Sequence, residues 1–221
     1  MNGLYSSMEG RMIFQYRLNS GQIEPDYSEL YRYAGFARHK LNDVNDVQMK
    51  ELAQSAVELV SEKMNCRSVY SRFQLELTED DTISFAGKSL QSHHLTLNLK
   101  GCHSVYLFAA TLGPGVDKAI QRESKINPAK AVMMQAAGAM FIEKYCDMFM
   151  GYLLEEEKAQ GNLLKPRYSP GFGDVGLEVQ KNFFELLECQ KNLALTLNDT
   201  LIMSPEKSVT AFVGVYKNEN E

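Results

Sequence analysis

The spacing of apolar residues predicts a helix and two strands in the first half of the chain. Between residues 47 and 64 apolar positions recur at helical intervals, with charged residues between them, which predicts an amphipathic helix. From residue 69 to 77 apolar and polar residues alternate, and this pattern predicts a half-exposed strand. The segment VYLFAATLG, residues 105–113, is almost entirely apolar and predicts a buried strand.

Capping and turn residues add further elements. Asn127 and Pro128 suit the N-cap and first position of a helix, and the residues after them predict one long helix ending near Lys158. Residues 113–115, Gly-Pro-Gly, predict a turn. The other predicted elements are helices within 25–33, 92–101 and 177–190, a short strand at 82–86, and strand-like segments ALTLN and SVTAFVGVY. Residues 1–24 are predicted to be irregular. Because this order lacks regular βαβ alternation, the fold class is predicted to be α+β.

Composition and charge exclude several classes of function. The chain has 221 residues, of which 44% are hydrophobic and 23% charged, the usage of an ordinary globular protein. Its formal net charge is -5, and no cluster of Lys and Arg is present. Nucleic-acid binders gain most of their affinity from such clusters, so no nucleic-acid partner is expected.

The location of the protein is predicted from three features. The four cysteines are far apart and form no CxxC pair, which favours reduced thiols in the cytoplasm. The N-terminus has no apolar segment behind a basic start, so no secretory signal is predicted. The apolar stretch 131–154 is interrupted by Glu143, Lys144 and Asp147, which predicts a buried helix and no membrane span.

The segment RYSPGFGD, residues 167–174, contains the parts of a small-ligand site. Arg167 has the forked geometry that grips a carboxylate, and Gly171 allows close approach of the backbone to a ligand. Pro170 stiffens the segment, and Phe172 offers an apolar face. The alternative is an ordinary Pro-Gly turn with Arg167 as a surface charge, and the spacing alone favours this alternative.

Two carboxylates of the predicted long helix are a second candidate. Glu143 and Asp147 lie one turn apart in a segment that is apolar on nearly every side, so we expect them to be buried. A buried carboxylate needs an Arg, a backbone donor or a ligand cation as partner. A purely structural ion pair and a ligand contact are equally compatible with this spacing.

Other chemistries find little support in the sequence. His93 and His94 are adjacent, so they point in different directions on a helix and do not form a metal-binding pair. No Ser-His-Asp or Cys-His arrangement is indicated, and the Gly-Pro-Gly turn lacks the residues of a phosphate loop. We therefore predict neither a catalytic nucleophile nor a metal site.

The segment RYSPGFGD, followed by FFELLECQKNLALTLNDTLIMSPEKSVTAFV, resembles the C-terminal activation domain of cobalamin-dependent methionine synthase. Upstream, AATLGPGVDKAIQRESKINPAKAVMMQAAGAMFIEKYCD and YRYAGF resemble the free-standing versions of that domain found in some bacteria. The Arg-x-x-Pro-Gly-aromatic motif together with the later Pro-x-x-Ser-Val segment is the specific part. The resemblance implies a single domain over residues 25–221, an α+β fold with a twisted, mainly antiparallel sheet flanked by helices.

The resemblance also implies a site for S-adenosylmethionine. Arg167 would hold the methionine carboxylate, and Glu143 would contact the ammonium group. The backbone at Ser169 and Gly171 would contact the adenosyl part, and Phe172 would line the pocket where the family usually has Tyr.

Two further family contacts have only approximate counterparts in this chain. An aspartate near the start of the family's domain also contacts the ligand amine, and Asp26 is the candidate for that position. The family has an aromatic contact beyond its last strand, and Tyr216 is the aromatic residue nearest to it here.

The implied function is activation of a cobalamin-dependent methionine synthase in trans. The domain would bind S-adenosylmethionine and support reductive methylation of cob(II)alamin, with flavodoxin or another electron donor. No Asp-x-His-x-x-Gly cobalamin signature is present, so the cobalamin is expected on a partner, a methionine synthase that lacks its own activation domain. The alternative is a non-catalytic S-adenosylmethionine-binding module that regulates or docks onto a corrinoid protein.

Overall fold

A computed structural model describes residues 4–6, 12–36 and 47–218. Its centre is a six-stranded sheet of order β1-β2-β3-β7-β11-β8, in which every neighbouring pair is antiparallel. These strands are β1 Leu4–Ser6, β2 Met12–Leu18, β3 Cys66–Gln74, β7 Ser104–Thr111, β8 Asn162–Leu164 and β11 Ser208–Lys217. A smaller sheet contains β4 Glu76–Leu77, β5 Thr82–Phe85 and β6 Lys88–Gln91, and a two-stranded sheet contains β9 Thr196–Leu197 and β10 Met203–Ser204.

Helices cover both faces of the central sheet. The described helices are α1 Tyr27–Tyr33, α2 Val47–Lys63, α3 His93–Leu99, α4 Pro114–Ile126, α5 Pro128–Lys158, α6 Gln180–Leu186 and α7 Cys189–Leu193. One face packs against α1, α2, α4 and α5, and the other packs against α3, α6, α7 and the smaller sheet. The α+β prediction with a mainly antiparallel sheet flanked by helices is confirmed. None of the described helices is long and apolar enough to cross a membrane.

Strand β7 is mostly apolar between its terminal Ser104 and Thr111 because both of its faces are covered. Phe108 and Ala110 belong to the core beneath α5, whereas Leu107 and Ala109 belong to the core beneath α3 and α6. All eight of its residues are buried. The buried strand predicted for 105–113 is therefore confirmed.

Helix α5 begins and ends where its sequence predicts. The Asn127 side chain accepts a hydrogen bond from the Lys130 N–H at 3.1 Å, and Pro128 occupies the first position. The helix continues for 31 residues to Lys158. Its length lets it contact α1, α2 and α4 as well as strand β8, so one element links the helical layer to the edge of the sheet.

Three predictions about local structure are wrong. Residues 12–18 lie in the segment predicted to be irregular, but they form β2, with Ile13 buried in the core. The Gly-Pro-Gly turn is the start of α4, because Gly113 adopts φ 81° as N-cap and Pro114 takes the first position. The helix predicted over 177–190 is divided, since Glu188 adopts a left-handed conformation between α6 and α7.

Candidate functional site

A cavity of about 460 Å³ lies between the RYSPGFGD segment, helix α5 and the start of α6. Four of the predicted site residues line it, namely Glu143, Arg167, Ser169 and Phe172. The other lining residues are Tyr168, Pro170, Leu177, Gln180, Leu201, Ile202, Met203, Glu206, Ser208, Val209 and Thr210. The volume falls within the range of about 300–1,000 Å³ that is usual for small-molecule sites.

The RYSPGFGD segment is attached to the edge of the central sheet. The Tyr168 N–H donates to the Phe212 carbonyl at 2.9 Å, and the Phe212 N–H donates back at 2.8 Å. The segment then turns at Gly171, which has φ 91° and whose N–H donates to the Val175 carbonyl at 2.8 Å. A Cβ at Gly171 would lie 2.9 Å from Leu177 Cδ2, so glycine also allows the next turn to pack closely.

The far end of the segment is held by Asp174. Its carboxylate accepts a hydrogen bond from the Ser92 hydroxyl and another from the His93 N–H at 2.8 Å. The Ser92 hydrogen bond lowers the pKa of Asp174 below its ordinary value, so the carboxylate stays ionised at neutral pH. The ligand-candidate segment is therefore fixed at both ends, to β11 at one and to the start of α3 at the other.

The two terminal nitrogens of the Arg167 guanidinium differ in their contacts. Its Nη2 lies 2.6 Å from Glu143 Oε2 and 3.0 Å from Asp147 Oδ1. Its Nη1 is buried and makes no hydrogen bond to any residue that the structure describes. The buried Cys146 thiol is also near the guanidinium, but burial raises its pKa to about 12, so it remains neutral.

The prediction that Glu143 and Asp147 are buried is wrong. Their side chains are 42% and 67% exposed, respectively. Helix α5 is mostly apolar because most of its circumference packs against other helices and the sheet. Glu143 and Asp147 lie on a part of the helix that these elements do not cover. Both carboxylates pair with Arg167, which is the ion pair that the sequence left open as the alternative to a ligand contact.

The remaining predicted contacts have other partners in the structure. The Gly171 N–H is already used within its turn, and Gly171 does not line the cavity. The Asp26 carboxylate caps α1 by accepting hydrogen bonds from the N–H groups of Ser28 and Glu29. Lys165 Nζ lies 4.6 Å from the centre of the Tyr216 ring, and Tyr216 does not line the cavity.

Sequence reasoning missed one part of the cavity wall. Gln180, Leu201 and Ile202 belong to it, and Ile202 is 55% exposed. The available signal was an apolar pair, Leu201 and Ile202, directly after the polar turn residues Asn198 to Thr200. Apolar residues at an exposed turn frequently mark a binding surface.

Comparison with known proteins finds similarity among solved structures. No protein-family model matches the sequence, and no curated protein matches it. A crystal structure of the MetH reactivation domain bound to AdoHcy is similar, with a TM-score of 0.69 and 15% sequence identity over 95% of this chain and 79% of that chain. The chain has the MetH reactivation domain fold. At this level of identity the similarity concerns the fold, and the reactivation-domain fold agrees with the α+β arrangement expected from the sequence.

Proposed function

We propose that the protein binds S-adenosylmethionine in the cavity beside Arg167 and serves as an activation module for a corrinoid-bearing methionine synthase. The observation that carries this proposal is the Arg167 side chain, which lines the cavity of about 460 Å³ and whose buried Nη1 has no hydrogen-bond partner among the described residues. A buried donor without a partner costs about 1–3 kcal/mol. A ligand carboxylate that accepts from Nη1 removes this cost and forms a charge-assisted hydrogen bond.

The charges beside Arg167 complement an amino acid. Glu143 lies 2.6 Å from Arg167 Nη2 and lines the cavity, so an anionic and a cationic side chain meet at one wall. A free amino acid carries a carboxylate and an ammonium group on one carbon. The carboxylate would bind Arg167 Nη1, and the ammonium group would bind Glu143.

The other walls suit an adenosyl group. Phe172, Leu177 and Ile202 provide apolar surface against which a planar base can pack. The backbone at Ser169, which lines the cavity, is proposed to contact the adenosyl part. The similar crystal structure contains AdoHcy, which is what S-adenosylmethionine becomes after it has donated its methyl group.

The proposed reaction takes place on a partner protein. A flavodoxin-like or other donor would reduce the partner's cob(II)alamin by one electron. The reduced cobalamin would then take the methyl group from the sulfonium, and S-adenosylmethionine would become S-adenosylhomocysteine. The contribution of this chain is to bind and orient the methyl donor, which requires no covalent nucleophile. Phe172, 67% exposed at the rim of the cavity, offers apolar surface for the partner. We place the reaction in the cytoplasm, in keeping with the free thiols of the four cysteines, Cys66, Cys102, Cys146 and Cys189.

The activation assay is the direct test of this function. The protein is mixed with a methionine synthase truncated before its activation domain, held in the cob(II)alamin state, together with a chemical reductant. We expect the cob(II)alamin absorbance to be replaced by that of methylcobalamin only when both S-adenosylmethionine and this protein are present. Binding of S-adenosylmethionine without methylcobalamin would instead support the non-catalytic docking module, and the absence of binding would refute both.

Asp147 is expected to oppose ligand binding. Its carboxylate lies 3.0 Å from Arg167 Nη2 and competes with the ligand carboxylate for the same guanidinium. Because Asp147 is 67% exposed, its interaction is screened by water and is weak. Asp147→Asn should tighten S-adenosylmethionine binding by about two- to fivefold in isothermal titration. Equal or weaker affinity in this variant would show that Asp147 does not compete.

A further inference from the structure

Gln180 combines deep burial with an unused hydrogen-bond acceptor. It is the first residue of α6, is 4% exposed, and lines the cavity. Its Nε2 donates to the Leu201 carbonyl at 3.1 Å. Its Oε1 is buried and has no hydrogen-bond partner in the part of the chain that the structure describes. The side chain is thus held through its amide nitrogen, and its acceptor oxygen is unused.

Two side chains of the cavity lining each have a buried polar atom without a hydrogen-bond partner among the described residues, and the two atoms are of opposite kind. Arg167 Nη1 is a cationic donor, and Gln180 Oε1 is a neutral acceptor. A ligand that satisfies both must present an acceptor to Arg167 and an N–H or O–H donor to Gln180.

The surroundings of Gln180 select among possible donors. Leu177, Leu201 and Ile202 line the same cavity, so this wall is mainly apolar apart from the amide. A charged ammonium group is better placed against Glu143, whose carboxylate supplies the opposite charge. A flat, neutral group with an amino donor at its edge suits an apolar wall that contains one acceptor, and the 6-amino edge of adenine is such a group.

We propose that Gln180 is a specificity-determining residue, whose Oε1 accepts a hydrogen bond from the exocyclic amine of the ligand's adenine. This inference rests on the proposed function and deepens it, because it states which base the site accepts. A 6-oxo purine places a carbonyl oxygen where the amine would be, so two acceptors face each other and the hydrogen bond is lost.

The test compares two ligands that differ only in the base. S-Adenosylhomocysteine and S-inosylhomocysteine share the ribose and homocysteine parts, and both are titrated calorimetrically into the full chain. We expect the wild type to bind the adenosyl compound about 10- to 100-fold more tightly. Gln180→Met keeps the length of the side chain but removes the acceptor, and should reduce this ratio to below about threefold.

The ratio separates recognition from a structural effect. Gln180→Met also removes the donor to Leu201, and a disturbed turn would weaken both ligands by the same factor and leave the ratio unchanged. Gln190→Met, at an exposed position of α7, is the matched control and should keep the wild-type ratio. Equal binding of the two ligands by the wild type, or an unchanged ratio in Gln180→Met, would overturn the inference while leaving the proposed function intact. If the wild type binds neither ligand, the proposed function fails and this inference fails with it.

Discussion

Arg167→Ala is expected to weaken S-adenosylmethionine binding by about 100-fold, the upper range for losing a hydrogen bond to a charged group. The substitution removes the donor that would meet the ligand carboxylate. It also leaves Asp147 without its cation, so this carboxylate then repels the carboxylate of the ligand. Both effects act in the same direction. Isothermal titration of the two proteins at equal ionic strength measures the change.

Control variants show whether this loss is specific. Arg122→Ala removes a cation from an exposed position of α4 and should bind the ligand as the wild type does. Arg167→Lys keeps the charge but not the fork, so its affinity should lie between those of the wild type and Arg167→Ala. Because Glu143 and Asp147 are 42% and 67% exposed, water solvates them when Arg167 is removed, and the variant should remain folded. Wild-type affinity in Arg167→Ala would exclude the proposed ligand orientation.

Local signals were sufficient to predict the elements that position the site. The Asn127 cap and Pro128 defined the start of α5, and the apolar run 105–113 defined the central strand. The cap is a signal between neighbouring residues, and the apolar run reflects a strand that is buried on both faces. The strand at residues 12–18 was missed although Phe14, Tyr16 and Leu18 alternate with Gln15 and Arg17, the short period-2 pattern of a strand.

The cavity was only half predictable from the sequence. The RYSPGFGD motif identified Arg167 and Phe172, because the residues of this segment are close together in the sequence. Gln180 could not be recognised, because its importance comes from an unpaired oxygen that is visible only once Leu201 has taken the amide nitrogen. The exposure of Glu143 was also unpredictable, because it depends on which part of the circumference of α5 the other elements leave uncovered.

Glu157, a buried carboxylate, lies at the other end of α5. Its side chain is 0% exposed and accepts hydrogen bonds from Arg72 Nη1 at 2.9 Å, the Tyr106 hydroxyl at 2.6 Å and Asn162 Nδ2 at 2.6 Å. These partners belong to β3, β7 and β8, so one carboxylate fastens the end of the helix to three strands. The sequence does not distinguish the buried Glu157 from Glu155 and Glu156, its exposed neighbours in the same run of glutamates.

Glu157→Ala is therefore expected to lower the free energy of unfolding by about 3–5 kcal/mol, the cost of breaking a buried ion pair from one side. The loss leaves the Arg72 guanidinium, the Tyr106 hydroxyl and the Asn162 amide without their shared acceptor. Urea unfolding followed by circular dichroism measures the change, with the m-value checked for constancy. Glu156→Ala, one residue earlier and exposed, is the matched control and should change stability by no more than about 0.5 kcal/mol.

The same variant separates stability from ligand binding. Glu157 and Glu143 are 14 residues apart on one helix, or about 21 Å along its axis, so Glu157 is remote from the proposed ligand. In the folded protein at low temperature, Glu157→Ala should bind S-adenosylmethionine with wild-type affinity, whereas Arg167→Ala should lose affinity and keep most of its stability. Equal stability of the Glu157 and Glu156 variants would refute the role of Glu157 in fastening α5. A loss of affinity in folded Glu157→Ala would show that the position of α5 against the sheet also controls the site.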